Sequence, residues 1–165
     1  GNRNLNFLTE LRPHKLKITL RDWQGQTRYA NYGAFSVGPE ADKFRLTLGN
    51  YSGDAGEDSK RARSMVDVIV IYVSGNGLGY NNGMLFSTVD RDYNLRLGEC
   101  VSLRKCAWWH GHCTYANLNG LYICGSYSGI GRGVFWRHWK GDHYSLKHTD
   151  ENEASLMRTP LLSPN

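Results

Sequence analysis

No run of apolar residues in this chain approaches the roughly 20 that a membrane-spanning helix needs. The longest, Val66 to Val73, is broken by Asp67 and reads as a strand, so the chain is expected to be soluble. No long segment repeats its apolar residues with the 3.6-residue period of an amphipathic helix, so helix is expected to be minor. Catalytic signatures are missing too. There is no Gly-x-Ser-x-Gly elbow, no His-Glu-x-x-His pair and no phosphate-binding glycine loop, which argues against an enzyme. No helix carries a basic stripe, and Lys and Arg are dispersed apart from Lys60-Arg61-Ala62-Arg63. The net charge of +5 therefore points to a solvated basic surface and away from nucleic acid. Attraction to acidic glycans is compatible with that charge and would weaken with salt. The chain begins at Gly1 with neither an initiator Met nor a basic-plus-apolar leader, so any signal peptide lies upstream or has been removed.

What is present is material for one globular domain: 165 residues, 40% hydrophobic and 12% aromatic, with 19 glycines. That mixture suits short strands joined by turns and irregular loops. Lys15 to Leu20 alternates polar and apolar side chains, which places Leu16, Ile18 and Leu20 on one face of a half-buried strand. Asp22 to Gln26 reads as a turn, Thr27 to Tyr32 as the returning strand, and Phe44 to Leu48 as a further alternating strand after Gly38-Pro39. Asn50-Tyr51-Ser52 is a glycosylation sequon.

Asp90, Asp92 and Asn94 alternate, so an extended segment would project them to one side, and a tight loop ending at Gly98 would add backbone carbonyls. Oxygen ligands on a flexible loop suit calcium. An EF-hand is excluded, because counting from Asp90 its required Gly and Glu positions hold Leu95 and Val101. The alternative is a turn in which Asp side chains accept from backbone amides. Four cysteines allow three pairings and imply an oxidising compartment if bridged. Cys106, His110, His112 and Cys113 have no common zinc-finger spacing, and His110-Gly111-His112 reads as an exposed short loop.

Phe86-Ser87-Thr88-Val89-Asp90-Arg91-Asp92-Tyr93-Asn94, followed by Cys100, Trp108-Trp109, Cys113 and Asn117-Leu118-Asn119-Gly120, resembles the C-terminal recognition domain of the fibrinogen-related proteins. That family includes fibrinogen chains, ficolins, tenascins and angiopoietins. The likeness starts at Leu8-Thr9 and runs through the segment from Leu16 to Gly56. It implies an α+β fold: a twisted antiparallel sheet carrying a loop-rich calcium-binding subdomain. It places the calcium ligands at Asp92, Asn94, Arg96 and Gly98, the last two through backbone carbonyls, with Asp90 close by. Asn94 stands where the family commonly has Asp, which removes a charge and lowers the expected affinity.

The resemblance also implies a Cys100–Cys113 disulfide, leaving Cys106 and Cys124 as a second bridge or two free thiols. It implies a cis His112-Cys113 peptide beside a recognition pocket, with Arg104, His112, Thr114, Ile130 and Asp142 at the ligand-binding positions. Trp108, Trp109, Trp136 and Trp139 fall where the family packs its core. Residues 60–79 are expected to be an atypical insertion with a loose tail over 74–79, and residues 1–149 a partial domain. From Asp150 to Asn165 the usual closing strand is expected to be lost. The implied function is non-catalytic recognition outside the cell, stabilised by Ca2+, with a receptor, matrix protein or glycan as partner. An innate-defence lectin for acetylated sugars is the alternative, and oligomerisation through upstream segments is expected.

Overall fold

The computed structural model describes residues 1–56, 75–95, 100–129 and 131–155, and for 151–155 the backbone alone. Its frame is a five-stranded antiparallel sheet built on β1 (His14–Arg21) and β2 (Thr27–Val37). The alternation in β1 becomes a burial pattern: Leu16, Ile18 and Leu20 are interior while Lys15 and Lys17 face solvent. Ile18 pairs with Ala30 and Leu16 with Tyr32 on β2, all interior. The connecting turn closes through the Asp22 side chain, which accepts from the Gln26 amide at 2.8 Å, and Gly25 supplies the positive φ of 83° that the turn requires.

β3 (Leu46–Leu48) and β4 (Tyr51–Gly53) both lie against β2, at its end and its middle respectively. β3 begins later than the alternation from Phe44 suggests. Lys43 and Phe44 both have left-handed φ values, 55° and 53°, and close the short 3-10 turn Glu40–Asp42 before an extended strand can start. The helix α1 (Asn2–Leu11), which the sequence reading did not single out, crosses the end of β2. Asn6 donates to the Val37 carbonyl at 2.9 Å and the Val37 amide donates to Thr9 at 3.2 Å.

Two expectations about the chain's course need correction. The closing strand is present: β9 (His148–Ser155) pairs with β1 along its whole length, from His148 opposite Arg21 to Ser155 opposite His14. Ladder hydrogen bonds use backbone groups that every non-proline residue carries, so an unfamiliar side-chain pattern did not prevent the pairing. The loose tail is also absent over its described part. Gly75, Gly77 and Leu78 are interior, and Gly75 accepts from the Trp136 indole at 2.8 Å. A Cβ on Gly77 would lie 2.8 Å from the Trp136 ring, so the backbone there is laid directly on the indole. Residues 57–74, which include most of the expected 60–79 insertion, fall outside the described residues.

Among the described residues the other half of the molecule has little regular structure: a 3-10 turn at Leu78–Asn81, α2 (Cys100–Arg104), α3 (Arg137–Lys140) and the two-residue strands β5 (Ala116–Asn117), β6 (Gly125–Ser126), β7 (Phe135–Trp136) and β8 (Tyr144–Ser145). Tryptophans join it to the sheet. Trp108 and Trp109 meet edge to face at 5.2 Å, and with Trp136 they share one apolar cluster with Leu16, Ile18 and Leu46. Trp139 packs partly buried against it, so the expected bracing role of the tryptophans holds. Ile18→Ala should remove about 3 kcal/mol of stability, read as a lower midpoint in urea denaturation at unchanged slope.

Candidate functional site

The segment 87–95 is strapped to the segment 108–113 at two points. Ser87 and Trp108 exchange backbone hydrogen bonds at 2.9 and 3.1 Å, and the Leu95 amide donates to the Gly111 carbonyl at 3.1 Å. Between the straps the chain makes a tight turn, Thr88 to Arg91, closed by paired backbone bonds of 2.8 and 3.2 Å. The fully buried Ser87 hydroxyl accepts from the Tyr93 amide at 2.9 Å and so pins the bend from below. The Cys100–Cys113 disulfide, with Cα atoms 5.0 Å apart, ties the far side of the loop, as the resemblance implied.

Asp90 and the other two oxygen donors make different hydrogen bonds. Asp90 accepts from the Thr88 hydroxyl at 2.7 Å, which holds its carboxyl below the usual range, so it serves its own turn. Asp92 and Asn94 do come together: Asp92 accepts from the Asn94 amide at 3.1 Å and also from the Asn94 side chain. Both sit on an accessible loop, Asp92 exposed and Asn94 half-buried. Arg96 and Gly98 lie outside the described residues. Among the described residues no group of three His, Cys, Asp or Glu converges as a metal cluster would. The pair present supplies one carboxylate and one amide, hard oxygen donors of the kind calcium takes.

The expected recognition residues divide. His112 is exposed beside the disulfide. Thr114 is interior, its hydroxyl 2.6 Å from the Ala116 carbonyl and 3.0 Å from the Asn81 side-chain oxygen, sharing its one proton between them. Arg104 and Asp142 form a separate cluster. The half-buried Arg104 donates to Gly131 at 2.9 Å, lies 5.5 Å from the Phe135 ring and feels the Asp142 charge, while burial pushes its pKa down. Tyr127 completes the cluster by donating to the Asp142 carbonyl at 2.8 Å. Ile130 lies outside the described residues. The His112-Cys113 peptide is trans, contrary to expectation; Cys113 instead takes a left-handed φ of 68°, and the Gly111 amide reaches the Cys113 carbonyl at 2.9 Å.

His110 departs from its expected exposure. It is fully buried, 3.2 Å from the Cys106 carbonyl, and burial lowers its pKa. Cys106 and Cys124 are both free, the first buried and the second exposed. The Cys106 thiol donates to Asn117 at 2.6 Å and burial pushes it up to about 12, so it is an inert core group. With Cys113 in a disulfide and His112 on the surface, the zinc arrangement does not form. Asn81 and Asn117, to which the sequence reading gave no individual role, are both fully buried. Asn81 donates to the Trp109 carbonyl at 2.6 Å, and Asn117 to Gly133 at 3.0 Å. Their signals were the Tyr80-Asn81-Asn82-Gly83 turn and the Asn117-Leu118-Asn119-Gly120 motif. Asn50 is exposed just before β4.

Comparison with known proteins matches residues 1–153 to the model of the C-terminal globular domain of fibrinogen beta and gamma chains. Among curated proteins, the chain is 38% identical to angiopoietin-related protein 7 of Mus musculus over 91% of its own length and 39% of the relative's. It is 36% identical to techylectin-5A of Tachypleus tridentatus, covering 91% of the chain and 45% of that protein. For human microfibril-associated glycoprotein 4 the identity is 34%, covering 91% and 54%. Among solved structures, the fibrinogen-like globe domain of human ANGPTL6 superposes with a TM-score of 0.81 at 33% identity, covering 96% of this chain and 64% of that one. Lamprey fibrin D-dimer complexed with the peptide Gly-His-Arg-Pro-amide gives 0.76 at 31% identity, covering 97% and 52%. The chain thus spans about four-tenths to just over half the length of these curated relatives.

Cys100→Ser with Cys113→Ser should cost about 3 kcal/mol on the loop-entropy account, measured as a fall in melting temperature. A pH effect follows from His110 and His138, both held below their ordinary 6.5 chiefly by burial. Below pH 6.5 the unfolded chain takes up protons that the native chain refuses, so stability present above that pH is lost as pH falls toward the folded values. The urea midpoint should therefore be lower at acid pH than at neutral pH, and His110→Gln should flatten that dependence.

Proposed function

The chain belongs to the family of the C-terminal globular domain of fibrinogen beta and gamma chains, a family of non-enzymatic extracellular recognition domains, and from that premise we propose that it is a secreted, calcium-stabilised module that recognises a receptor, matrix protein or glycan. The observation that carries the reading is the pairing of Asp92 with Asn94 on an accessible loop strapped to the 108–113 segment. Rotating the Asn94 amide exchanges its nitrogen for its oxygen, and the two side chains then offer oxygens to a cation. Asp92, Asn94 and the backbone carbonyls of Arg96 and Gly98 are the proposed ligands. Calcium there supplies charge neutralisation and order for the loop, while the disulfide and the Ser87 and Gly111 contacts limit how far that loop opens.

The recognition surface in this proposal is the exposed His112 beside the disulfide, with the Arg104–Asp142 cluster as a second group of ligand-facing residues. Glycosylation at the exposed Asn50 belongs to the same reading. The burial of Thr114 favours a protein ligand over a small acetylated sugar, since it removes a side chain from the surface such a pocket would use. A glycan array distinguishes the two, with reproducible binding to acetylated sugars reversing that preference.

Calcium dependence is tested by thermal unfolding. Millimolar calcium should raise the melting temperature, because a ligand bound only by the folded state stabilises it, by about 2.7 kcal/mol at a hundredfold excess over Kd. Asp92→Ala should abolish the shift. An unchanged melting temperature of the parent chain at millimolar calcium would remove the proposed ion site.

A further inference from the structure

Between the sheet and the irregular half of the molecule lies an apolar cavity of about 170 Å³. Leu16, Ile18 and Leu46 wall it from the strands, and Leu78, Trp108 and Leu118 from the loops, all of them interior. Leu5, on α1, also lines it and is only partly buried, so the cavity comes nearest to solvent under that helix.

The tryptophans of this core differ in what their indole N–H groups meet. Trp109 donates to the Phe44 carbonyl at 2.7 Å and Trp136 to the Gly75 carbonyl at 2.8 Å. The Trp108 N–H has no acceptor among the described residues, although Trp108 is only 3% exposed. A buried donor without an acceptor carries its full desolvation cost, and here it belongs to a residue that forms part of the cavity wall.

Water suits this place poorly. A buried water needs roughly two to four polar partners, and the lining side chains offer the Trp108 N–H and otherwise hydrocarbon, since the Trp109 N–H is taken. An apolar cavity of about 150 Å³ lined by leucine, isoleucine and phenylalanine stays dry and admits benzene. The cavity here has that size and that kind of lining, and it falls well below the roughly 300 Å³ at which pockets for drug-sized ligands begin. Volume therefore selects a single small ring, the leucine and isoleucine walls select an apolar one, and the Trp108 donor selects one that carries an acceptor.

We propose that this cavity is a binding site for a small monocyclic aromatic molecule bearing one hydrogen-bond acceptor, such as an aryl ketone, whose oxygen takes the Trp108 N–H. Asp92, Asn94, His112, Arg104 and Asp142 do not line the cavity, so the site is separate from the surface inferred above.

The test is titration of the full chain with acetophenone and with α-methylstyrene, in which a methylene replaces the carbonyl oxygen at nearly the same shape, followed by methyl NMR and thermal unfolding. Millimolar acetophenone should shift the methyl signals of Leu16, Ile18, Leu78 and Leu118 and leave those of the exposed Leu8 and Leu11 in place. It should also raise the melting temperature, as a ligand held only by the folded state does. Trp108→Phe keeps an aromatic ring and removes the N–H. It should weaken acetophenone binding about fivefold, the worth of one hydrogen bond, and leave α-methylstyrene bound at least as well. Equal weakening of both probes would show that the N–H is not used and would overturn the proposal. So would shifts confined to Leu8 and Leu11, or no shift with either probe. Leu118→Phe adds bulk at the cavity wall and should abolish both the shifts and the gain in melting temperature, whether or not Trp108→Phe folds; acetophenone binding retained in that variant would also overturn the proposal. Leu118→Met, of nearly equal volume, should bind acetophenone as the parent does, which separates a filled site from a lost fold.

Discussion

Outside its main sheet the domain's described residues form loops, short helical turns and two-residue strands, so many buried backbone groups must find partners somewhere other than in ladders, and here buried polar side chains supply them. Asn81 reaches the Trp109 carbonyl, Asn117 reaches Gly133, and Ser87 receives the Tyr93 amide. Thr114 both accepts from the Ala116 amide and donates to its carbonyl. Each of these side chains is interior, where an unmatched polar group is costly, so each fixes the path of a loop as firmly as a strand pair would. The surface loops inherit their shape from these crossings.

The apolar packing and the polar crossings support one another at the tryptophans. Trp109 donates its indole N–H to the Phe44 carbonyl at 2.7 Å while its ring meets Phe86 and Trp108 edge to face. Trp136 does the same for Gly75. An indole is a large apolar surface with one polar handle, so it can bury area against the sheet and still satisfy a loop carbonyl. This is how an irregular half-domain is locked to a regular sheet, and why the bend at Asp92 and Asn94 is held next to the disulfide.

Parts of this arrangement were readable from the chain. Alternation in Lys15 to Leu20 located β1 and its buried face, because a period of two has one meaning in an extended chain. The motif resemblance located the Cys100–Cys113 bridge and the bracing tryptophans. Other parts were not readable. His110 sits in a glycine-flanked stretch that looks like an exposed loop, and only the packing of Cys106 and its neighbours makes it interior. Thr114, which the resemblance placed at a ligand-binding position, is interior because its hydroxyl serves Ala116. Residues 150–155 show no apolar alternation, yet they belong to β9, since pairing with β1 depends on an available strand edge.

By itself the sequence determined what short-range chemistry decides: the strand period, the turn at Asp22 with its glycine, the oxygen donors of the bend and the likeness to one family. Tertiary structure alone decided which polar residues are inside, which cations stand over which rings, that Asp90 serves its own turn while Asp92 joins Asn94, and that the last strand completes the sheet. The physical reason is that these outcomes depend on groups far apart in the chain, such as Asn81 with Trp109 and Trp23 with Tyr144, and a local pattern carries no record of a partner that only folding brings near.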